Sequence, residues 1–269
     1  MSEKTFSKQY VLGEIDVPYT KGMHPATVKF ELPERKVTRL KLVQRKGAKP
    51  RKSPDGIATN NLVLSAAVGN NADLFPSVIG LYVSKGSVVA DVTYGKGVFW
   101  QNVPANAYTV HATDLKTGVD ARKLPYKDAS LDCVVFDPPY MHTPGGTAHV
   151  GHQNFEGYYK NNGNNTTGLK YHEAVLDLYF KSAAEAFRVL KRDGIYIVKC
   201  QDEVCACKQR LTHVEIINQL TDRFIAEDIF VLVRHGKPGV SRILRQRHAR
   251  KNHSYFLVFR KRGSGRGGR

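Results

Sequence analysis

The chain has 269 residues, of which 41% are hydrophobic, and it carries a formal net charge of +17 at pH 7. This length and composition fit one large α/β domain with additions or two small domains, and exclude a chain too polar to form a core. No apolar run is long enough to cross a bilayer and no apolar segment opens the chain, so we predict neither a membrane span nor a secretory signal and expect a cytoplasmic location.

The positive charge is concentrated in two stretches that contain no acidic residue. Residues 35–52 carry nine Lys or Arg, and the chain after Asp228 carries twelve, whereas the remainder has 20 basic and 24 acidic residues. Cationic flanks are typical of a polyanion binder, and they favour nucleic acid over a membrane surface or a merely solubilising patch. The candidate nucleic-acid contacts are Arg45, Lys46, Lys49, Arg51, Lys52, Lys237, Arg242, Arg245, Arg247, Arg250 and Lys251.

The four cysteines suggest a reducing compartment and no metal centre. Cys133 lies in an apolar run typical of a buried strand. Cys205 and Cys207, with His213 nearby, lack the usual two-residue gap and a second pair, so no metal ligand is predicted.

We divide the chain into a basic appendage and linker (1–56), a main α/β domain (57–260) and a disordered Gly/Arg tail (261–269). At the start of the main domain, apolar patches at 62–68 and 78–83 predict two helices, the second beginning around Phe75 and Pro76. A buried strand then leads through Asp91 into a Gly-x-Gly turn and a helix.

The turn after Asp91 and the end of the next strand both carry residues suited to contact with a ligand. The turn after Asp91 contains Gly95 and Gly97, and glycine lets backbone approach a ligand closely at the edge where open α/β sheets bind nucleotides. The next strand ends at Asp114, an acid suited either to ribose hydroxyls or to capping a helix.

The apolar run 131–136 leads into Asp137-Pro138-Pro139-Tyr140. Asp137 and the Pro138 carbonyl can accept both hydrogens of an exocyclic amine, Pro138 and Pro139 stiffen the backbone, and Tyr140 can stack on a planar ring. A plain turn after a core strand is the alternative for this tetrapeptide.

After the tetrapeptide, residues 141–170 are rich in Gly and Asn, which indicates either a lid, with Tyr158 and Tyr159 stacking on bases, or an incidental loop. The remaining elements are predicted as a helix at 171–192, a strand at 195–198, a helix at 212–223, a strand at 228–233, a basic loop and a strand at 255–259.

In series, these motifs resemble those of the class I S-adenosylmethionine-dependent amino-methyltransferases, specifically the DNA adenine-N6 enzymes with the γ order of motifs, over residues 75–260. The resemblance implies a Rossmann-like three-layer α/β sandwich whose mostly parallel seven-stranded sheet has an antiparallel last strand. It implies S-adenosyl-L-methionine as the cofactor, and catalytic roles for Asp137, Pro138, Pro139 and Tyr140. The implied cofactor contacts are Phe75, Pro76, Asp91, Thr93, Gly95, Gly97, Phe99, Asp114, Asp120 and Ala121.

The expected activity is therefore methyl transfer to adenine N6 in DNA. Few residues follow the catalytic half, which departs from the γ order and predicts low sequence selectivity. Three alternatives stay open: cytosine-N4 methylation of DNA, exocyclic-amine methylation of tRNA or rRNA at guanine N2 or adenine N6, and a non-catalytic nucleic-acid-binding module. Protein glutamine methylation is a lesser one.

Overall fold

A computed structural model describes residues 10–16, 27–33, 62–140, 169, 171–205, 208–236 and 245–263. The chain divides into two compact units, Met1–Ala58 and Thr59–Arg269. In the first unit, β1 (Tyr10–Asp16) pairs antiparallel with β2 (Thr27–Pro33). The segment limits and the disordered tail that the sequence suggested stay predictions.

The second unit is organised around a seven-stranded sheet. Its described strands are β3 (Ala66–Val68), β4 (Val88–Asp91), β5 (Thr109–Ala112), β6 (Leu131–Phe136), β7 (Leu190–Cys200), β8 (Glu203–Cys205), β9 (Lys208–Arg210), β10 (Phe224–Val233) and β11 (His253–Lys261). The main sheet has the order β3-β10-β11-β7-β6-β4-β5, and β8 and β9 form a separate hairpin. Only β11 runs antiparallel to its neighbours within this sheet. The predicted mostly parallel sheet with an antiparallel last strand is confirmed.

Helices cover both faces of the sheet, which gives the predicted three layers. Leu74 and Val78 of α1 (Asn71–Tyr82) pack with one face, and residues of α2 (Tyr171–Val189) and α3 (Thr212–Leu220) pack with the other. Side chains of β6 alternate between the two cores and are at most 2% exposed where they enter them. A central parallel strand buried on both faces needs a run of apolar residues, and residues 133–136 supply it after the partly exposed Asp132.

The predicted helix at 62–68 is wrong. Residues 66–68 form β3, an edge strand parallel to β10, and the backbone N–H of Val231 donates to the Ser65 carbonyl at 2.7 Å. Leu62 and Leu64 are largely exposed instead of packing on a helical face. The pairing partner lies more than 160 residues away in the sequence, so local periodicity carried no sign of it.

The second predicted helix begins earlier than expected. α1 starts at Asn71, and Asn70 and Asp73 form a reciprocal capping box, with the Asp73 N–H donating to Asn70 Oδ1 at 3.1 Å. Pro76 therefore lies inside the helix and not at its first turn. The Asn-x-x-Asp spacing was the sequence signal for this start.

The other boundaries differ by a few residues. The helix predicted after Gly97 is a single 3-10 turn, Val98–Trp100. α2 and α3 end three residues before their predicted ends, and β7 and β10 are longer than predicted.

The topology places the ends of several strands together. β3, β4, β5, β6, β7 and β10 all end at one edge of the sheet, which we call the carboxyl edge, and β11 begins there. The chain passes from β4 to β5 on one side and then to β6 on the other, so the strand order reverses at β4. Open α/β sheets bind ligands in the crevice at such a reversal.

Candidate active site

The loop after β4 is organised around its own buried carboxylate. Asp91 is 3% exposed, its Oδ1 accepts the Thr93 N–H at 3.1 Å, and its Oδ2 accepts the Trp100 Nε1–H at 2.7 Å. Burial raises the pKa of Asp91 to about 7, although both hydrogen bonds act in the opposite direction. The carboxyl group therefore fixes the loop from inside, and its charge changes near neutral pH.

Gly97 is required by this loop. It has φ of 66°, in the left-handed region, and a Cβ there would lie 2.7 Å from the Tyr94 hydroxyl and 3.0 Å or less from its ring. Gly95 also has positive φ, at 55°. A side chain at Gly97 would strain the backbone and displace the ring of Tyr94.

Thr93 joins the ends of β4 and β6. Its Oγ1 accepts the backbone N–H of Asp137 at 2.6 Å, and next to it the Val92 N–H donates to the Val135 carbonyl at 3.1 Å. One hydroxyl thus sets the position of the tetrapeptide relative to the glycine loop.

Within the tetrapeptide, Tyr140 donates its hydroxyl to Asp137 Oδ1 at 2.6 Å. Burial, together with the charge of Asp137, raises the pKa of Tyr140 well above its ordinary value, so the phenol remains a donor. Among the described residues no donor reaches Asp137 Oδ2. One carboxylate oxygen is therefore committed to holding the tyrosine, and the other is available to a ligand.

Asp114 fills one of the two roles that the sequence left open, that of a cap. Its Oδ1 caps the 3-10 turn Leu115–Thr117 by accepting the N–H groups of Lys116 and Thr117 at 2.8 and 2.9 Å. In the described part of the chain no donor reaches Oδ2. The cap fixes the carboxylate while one oxygen stays available at the tip of β5.

These groups line one cavity of about 330 Å³, a size within the usual range for small-molecule sites. Of the predicted site residues, it is lined by Asp91, Thr93, Gly95, Phe99, Asp114, Asp137 and Pro139. Its other lining residues are Asn71, Tyr94, Lys96, Val98, Leu115 and Lys116, which the sequence did not single out. Three successive strand ends therefore contribute an acid to the same cavity.

Phe75 and Pro76 do not line the cavity. Phe75 is fully buried and contacts Phe99 and Trp100, with ring centroids 4.8 and 5.2 Å apart, so it supports the glycine loop from below. Pro76 is half-buried in α1. The remaining predicted catalytic residue, Pro138, is buried between Asp137 and Pro139.

Asp120 and Ala121 also lie off the cavity. Burial alone would raise the pKa of Asp120, but hydrogen bonds and an ion pair with Arg122, 2.7 Å between Oδ2 and Nη2, hold it below its ordinary value. Ala121 is 1% exposed in the core beside α2.

Four of the predicted nucleic-acid contacts fall in the described basic loop between β10 and β11, at the carboxyl edge. Arg245, Arg247 and Arg250 are exposed and Lys251 is half-buried. The loop is attached to the end of β7, because Gln201 Nε2 donates to the Lys251 carbonyl at 3.2 Å and to that of His253 at 2.9 Å. The others lie outside the described residues: Arg45, Lys46, Lys49, Arg51, Lys52, Tyr158, Tyr159, Lys237 and Arg242.

The residues that the structure describes contain no cluster of three or more His, Cys, Asp or Glu side chains that could hold a metal ion. The same part of the chain contains no helix long and apolar enough to cross a membrane.

No protein-family model matches the chain, and no curated protein matches it either. Solved structures do. A candidate DNA modification methylase from Thermus thermophilus, crystallised with S-adenosyl-L-methionine, is 18% identical over 68% of this chain and 59% of its own, with a TM-score of 0.36. TrmN from Thermus thermophilus is 16% identical over 70% of this chain and 48% of its own, with a TM-score of 0.41.

The cytosine-N4-specific PvuII DNA methyltransferase is 15% identical over 53% of this chain and 47% of its own, with a TM-score of 0.36. The chain thus spans only about half to three-fifths of the length of these three proteins.

Proposed function

We propose that this chain transfers a methyl group from S-adenosyl-L-methionine to the N6 amine of adenine in DNA. The observation that carries the proposal is the cavity in which Asp91, Asp114 and Asp137, from the ends of three neighbouring strands, meet beside the glycine loop. The motif order along the chain supports the same activity.

The lining residues fit this cofactor. Asp114 Oδ2 can accept the ribose hydroxyls, and Leu115 and Phe99 offer apolar surface to the rest of the molecule. Asp91 and Asp137 bring two carboxyl groups, which suit a positively charged sulfonium. When bound, S-adenosyl-L-methionine supplies an electrophilic methyl group.

Asp137 and Pro138 orient the target amine. Asp137 Oδ2 and the Pro138 carbonyl accept its two hydrogens, which favours a tetrahedral nitrogen whose lone pair is localised for attack. Tyr140, held by its own bond to Asp137, offers its ring to a base that has left the duplex stack. Positioning of this kind contributes much of the barrier reduction.

The basic loop grips the phosphate backbone near this site. Exposed arginines such as Arg245 and Arg247 position a duplex but carry little sequence information. The affinity for DNA should therefore fall steeply with salt, and the selectivity among adenines should be low. Methylated adenines mapped across a long unmodified genome should not be confined to one short sequence.

The test is a parallel incubation of the protein with methyl-labelled cofactor and either DNA or RNA, followed by digestion to nucleosides. We expect the label in N6-methyldeoxyadenosine. Label in N4-methyldeoxycytidine would instead assign the cytosine reaction, and label only in RNA nucleosides would assign an RNA enzyme. No transfer to either, with intact cofactor binding, would contradict the proposal.

A further inference from the structure

A buried lysine lies behind the wall of the cavity. Lys199, the penultimate residue of β7, is 1% exposed, and its Nζ donates to Asn71 Oδ1 at the start of α1. The Nζ also lies 5.1, 5.5 and 5.7 Å from the ring centroids of Phe256, Phe99 and Tyr140. Five parts of the fold therefore meet around one ammonium group: β7, β11, α1, the glycine loop and the tetrapeptide.

This arrangement is costly for folding. A buried ammonium loses its hydration, and the hydrogen-bond acceptor that the described residues offer Lys199 is the neutral amide of Asn71. Aromatic faces return only part of the cost. Methionine would fill the same space without a charge, so stability alone does not account for a lysine here.

The lysine has a clear electrostatic relation to the active site. β4, β6 and β7 are neighbours in the sheet, and at the carboxyl edge they lead to Asp91, Asp137 and Lys199 in turn. Two carboxyl groups in a partly dehydrated site disfavour each other's ionisation, and Asp137 contributes to the raised pKa of Asp91. A positive charge on the next strand opposes that repulsion.

We propose that Lys199 is a positioning residue, whose ammonium group holds the Asn71 amide and the Tyr140 ring in place and puts a positive charge behind the carboxyl groups of the cavity. The proposal deepens the proposed function, on which its role in methyl transfer rests. Lys199 does not line the cavity, whereas Asn71 and Asp137 do, so it acts on a ligand through them.

The pH behaviour follows from the charges around Asp137. Burial lowers the pKa of Lys199, and Asp137 opposes this effect, so the two charges stabilise each other. Removing the lysine charge should disfavour the ionised carboxyl groups of the site, so the acid limb of the rate profile should move to higher pH. The other titratable or charged groups that face this pair are Asp91, Tyr140, Tyr179, Cys200 and Arg234.

The first test compares the pH dependence of methyl transfer in the parent, K199M and K199R. K199M should lose about 10- to 100-fold in kcat at pH 7, as expected for the loss of an outer partner of a site, and its acid limb should rise by about one pH unit. Its Tm should equal or exceed that of the parent. K199R should keep the limb near the parent's position.

Two further variants make this test independent of a single substitution. K199Q keeps a donor for Asn71 without a charge and should move the limb as K199M does. K191M removes the exposed lysine at the other end of β7, which pairs with Asp132, and should leave the limb where it is. A loss of rate in K199M and K199Q that is equal at every pH would overturn the proposal.

A second readout does not need catalysis. Lysine side-chain NMR of the free protein, with Lys199 assigned through K199M, should show the pKa of Lys199 lower in D137N than in the parent, because Asp137 opposes the effect of burial on the lysine. An unchanged pKa would overturn the proposal for Lys199 even if the parent methylates DNA. Conversely, a parent that binds the cofactor but methylates no nucleic acid would defeat the proposed function, while the NMR titration would still decide the role of Lys199.

Discussion

The two edges of the main sheet handle charged residues in opposite ways. At the amino edge, where the parallel strands begin, Asp132 pairs with Lys191 at 2.7 Å, and Arg188 pairs with Glu185 and Asp128 at 2.8 and 2.7 Å. These side chains are all partly or largely exposed. At the carboxyl edge, Asp91 and Lys199 are buried without a described ion pair, and Asp137 and Asp114 each keep one oxygen unpaired among the described residues.

The difference separates charges that serve the fold from charges that serve a ligand. A paired, hydrated carboxylate costs little and contributes modestly to stability. A carboxyl group that is buried lowers the stability of the fold. The same is true of a carboxyl group whose free oxygen faces a cavity. Such groups are therefore typical of places where a ligand binds or a reaction occurs. Each prediction below therefore matches a carboxyl-edge substitution with a control elsewhere in the sheet or its helices.

The largest effect is expected for Asp137→Ala. Because Asp137 accepts the target amine, methyl transfer should fall by about a thousandfold or more, while cofactor binding stays within a few fold of the parent. Asp132→Ala, at the amino end of the same strand, should keep its turnover. Steady-state rates with labelled cofactor measure both, and substantial turnover by the Asp137 variant would remove the assigned mechanism.

Asp114→Ala should weaken cofactor binding by about 10- to 150-fold, the usual cost of losing a hydrogen bond to a charged acceptor. Because Asp114 also caps a turn, the informative comparison is Asp114→Asn, which retains an oxygen for the cap but presents a donor amide in place of the second oxygen. Calorimetric titration should find weakened binding in both variants. Parent-like affinity in Asp114→Asn would refute the ribose role.

Asp91 and Asp132 should give pH dependences of opposite sign. The folded pKa of Asp91, about 7, lies above its ordinary value, so its stabilising contribution is complete below about pH 4 and disappears as the pH rises through 7. From pH 5 to pH 7 this should cost the parent about 2 kcal/mol in unfolding free energy, at about 1.4 kcal/mol per pH unit. Asp91→Asn should flatten that slope.

For Asp132, burial alone would raise the pKa, but Lys191 and the Val88 N–H hold it below its ordinary value. Its contribution is therefore present above about pH 4 and disappears on acidification through the folded value. Asp132→Asn should flatten only this acid side. Urea unfolding at a series of pH values measures both slopes, and a parent-like neutral slope in Asp91→Asn would contradict the raised pKa.

Gly97→Ala should lower the unfolding free energy by about 1–3 kcal/mol, through backbone strain and the contact with Tyr94, without a change in pH dependence. Gly80 of α1 is the control, because a Cβ there would meet nothing within 4 Å. Gly80→Ala should stabilise the helix by about 0.5–1 kcal/mol. If urea unfolding shows equal changes for both variants, the glycine loop does not need its left-handed conformation.

Much of the fold and of the cavity was predictable because of where the motifs occur along the strands. A parallel sheet brings the carboxyl ends of neighbouring strands to one edge, so acids that follow apolar runs, such as Asp91, Asp114 and Asp137, were expected together. All three line the cavity. The hydrogen bond from Tyr140 to Asp137 was not predicted, because it depends on side-chain geometry within the tetrapeptide.

What the sequence missed depends on contacts between distant segments. Asn71 lines the cavity because α1 begins before Phe75, and the capping box formed by Asn70 and Asp73 was the overlooked local signal. Lys199 interrupts an apolar strand, which indicates its face of the sheet but none of the residues around its ammonium. β3 forms only by pairing with β10, whose residues are far along the chain.

The most direct test of the account is a crystal structure with S-adenosyl-L-homocysteine and a DNA oligonucleotide bound. We predict that the ribose hydroxyls lie within hydrogen-bond distance of Asp114 Oδ2 and that an adenine N6 lies between Asp137 Oδ2 and the Pro138 carbonyl. A ligand bound in the cavity with its ribose away from Asp114, or an adenine that does not approach Asp137, would contradict the account.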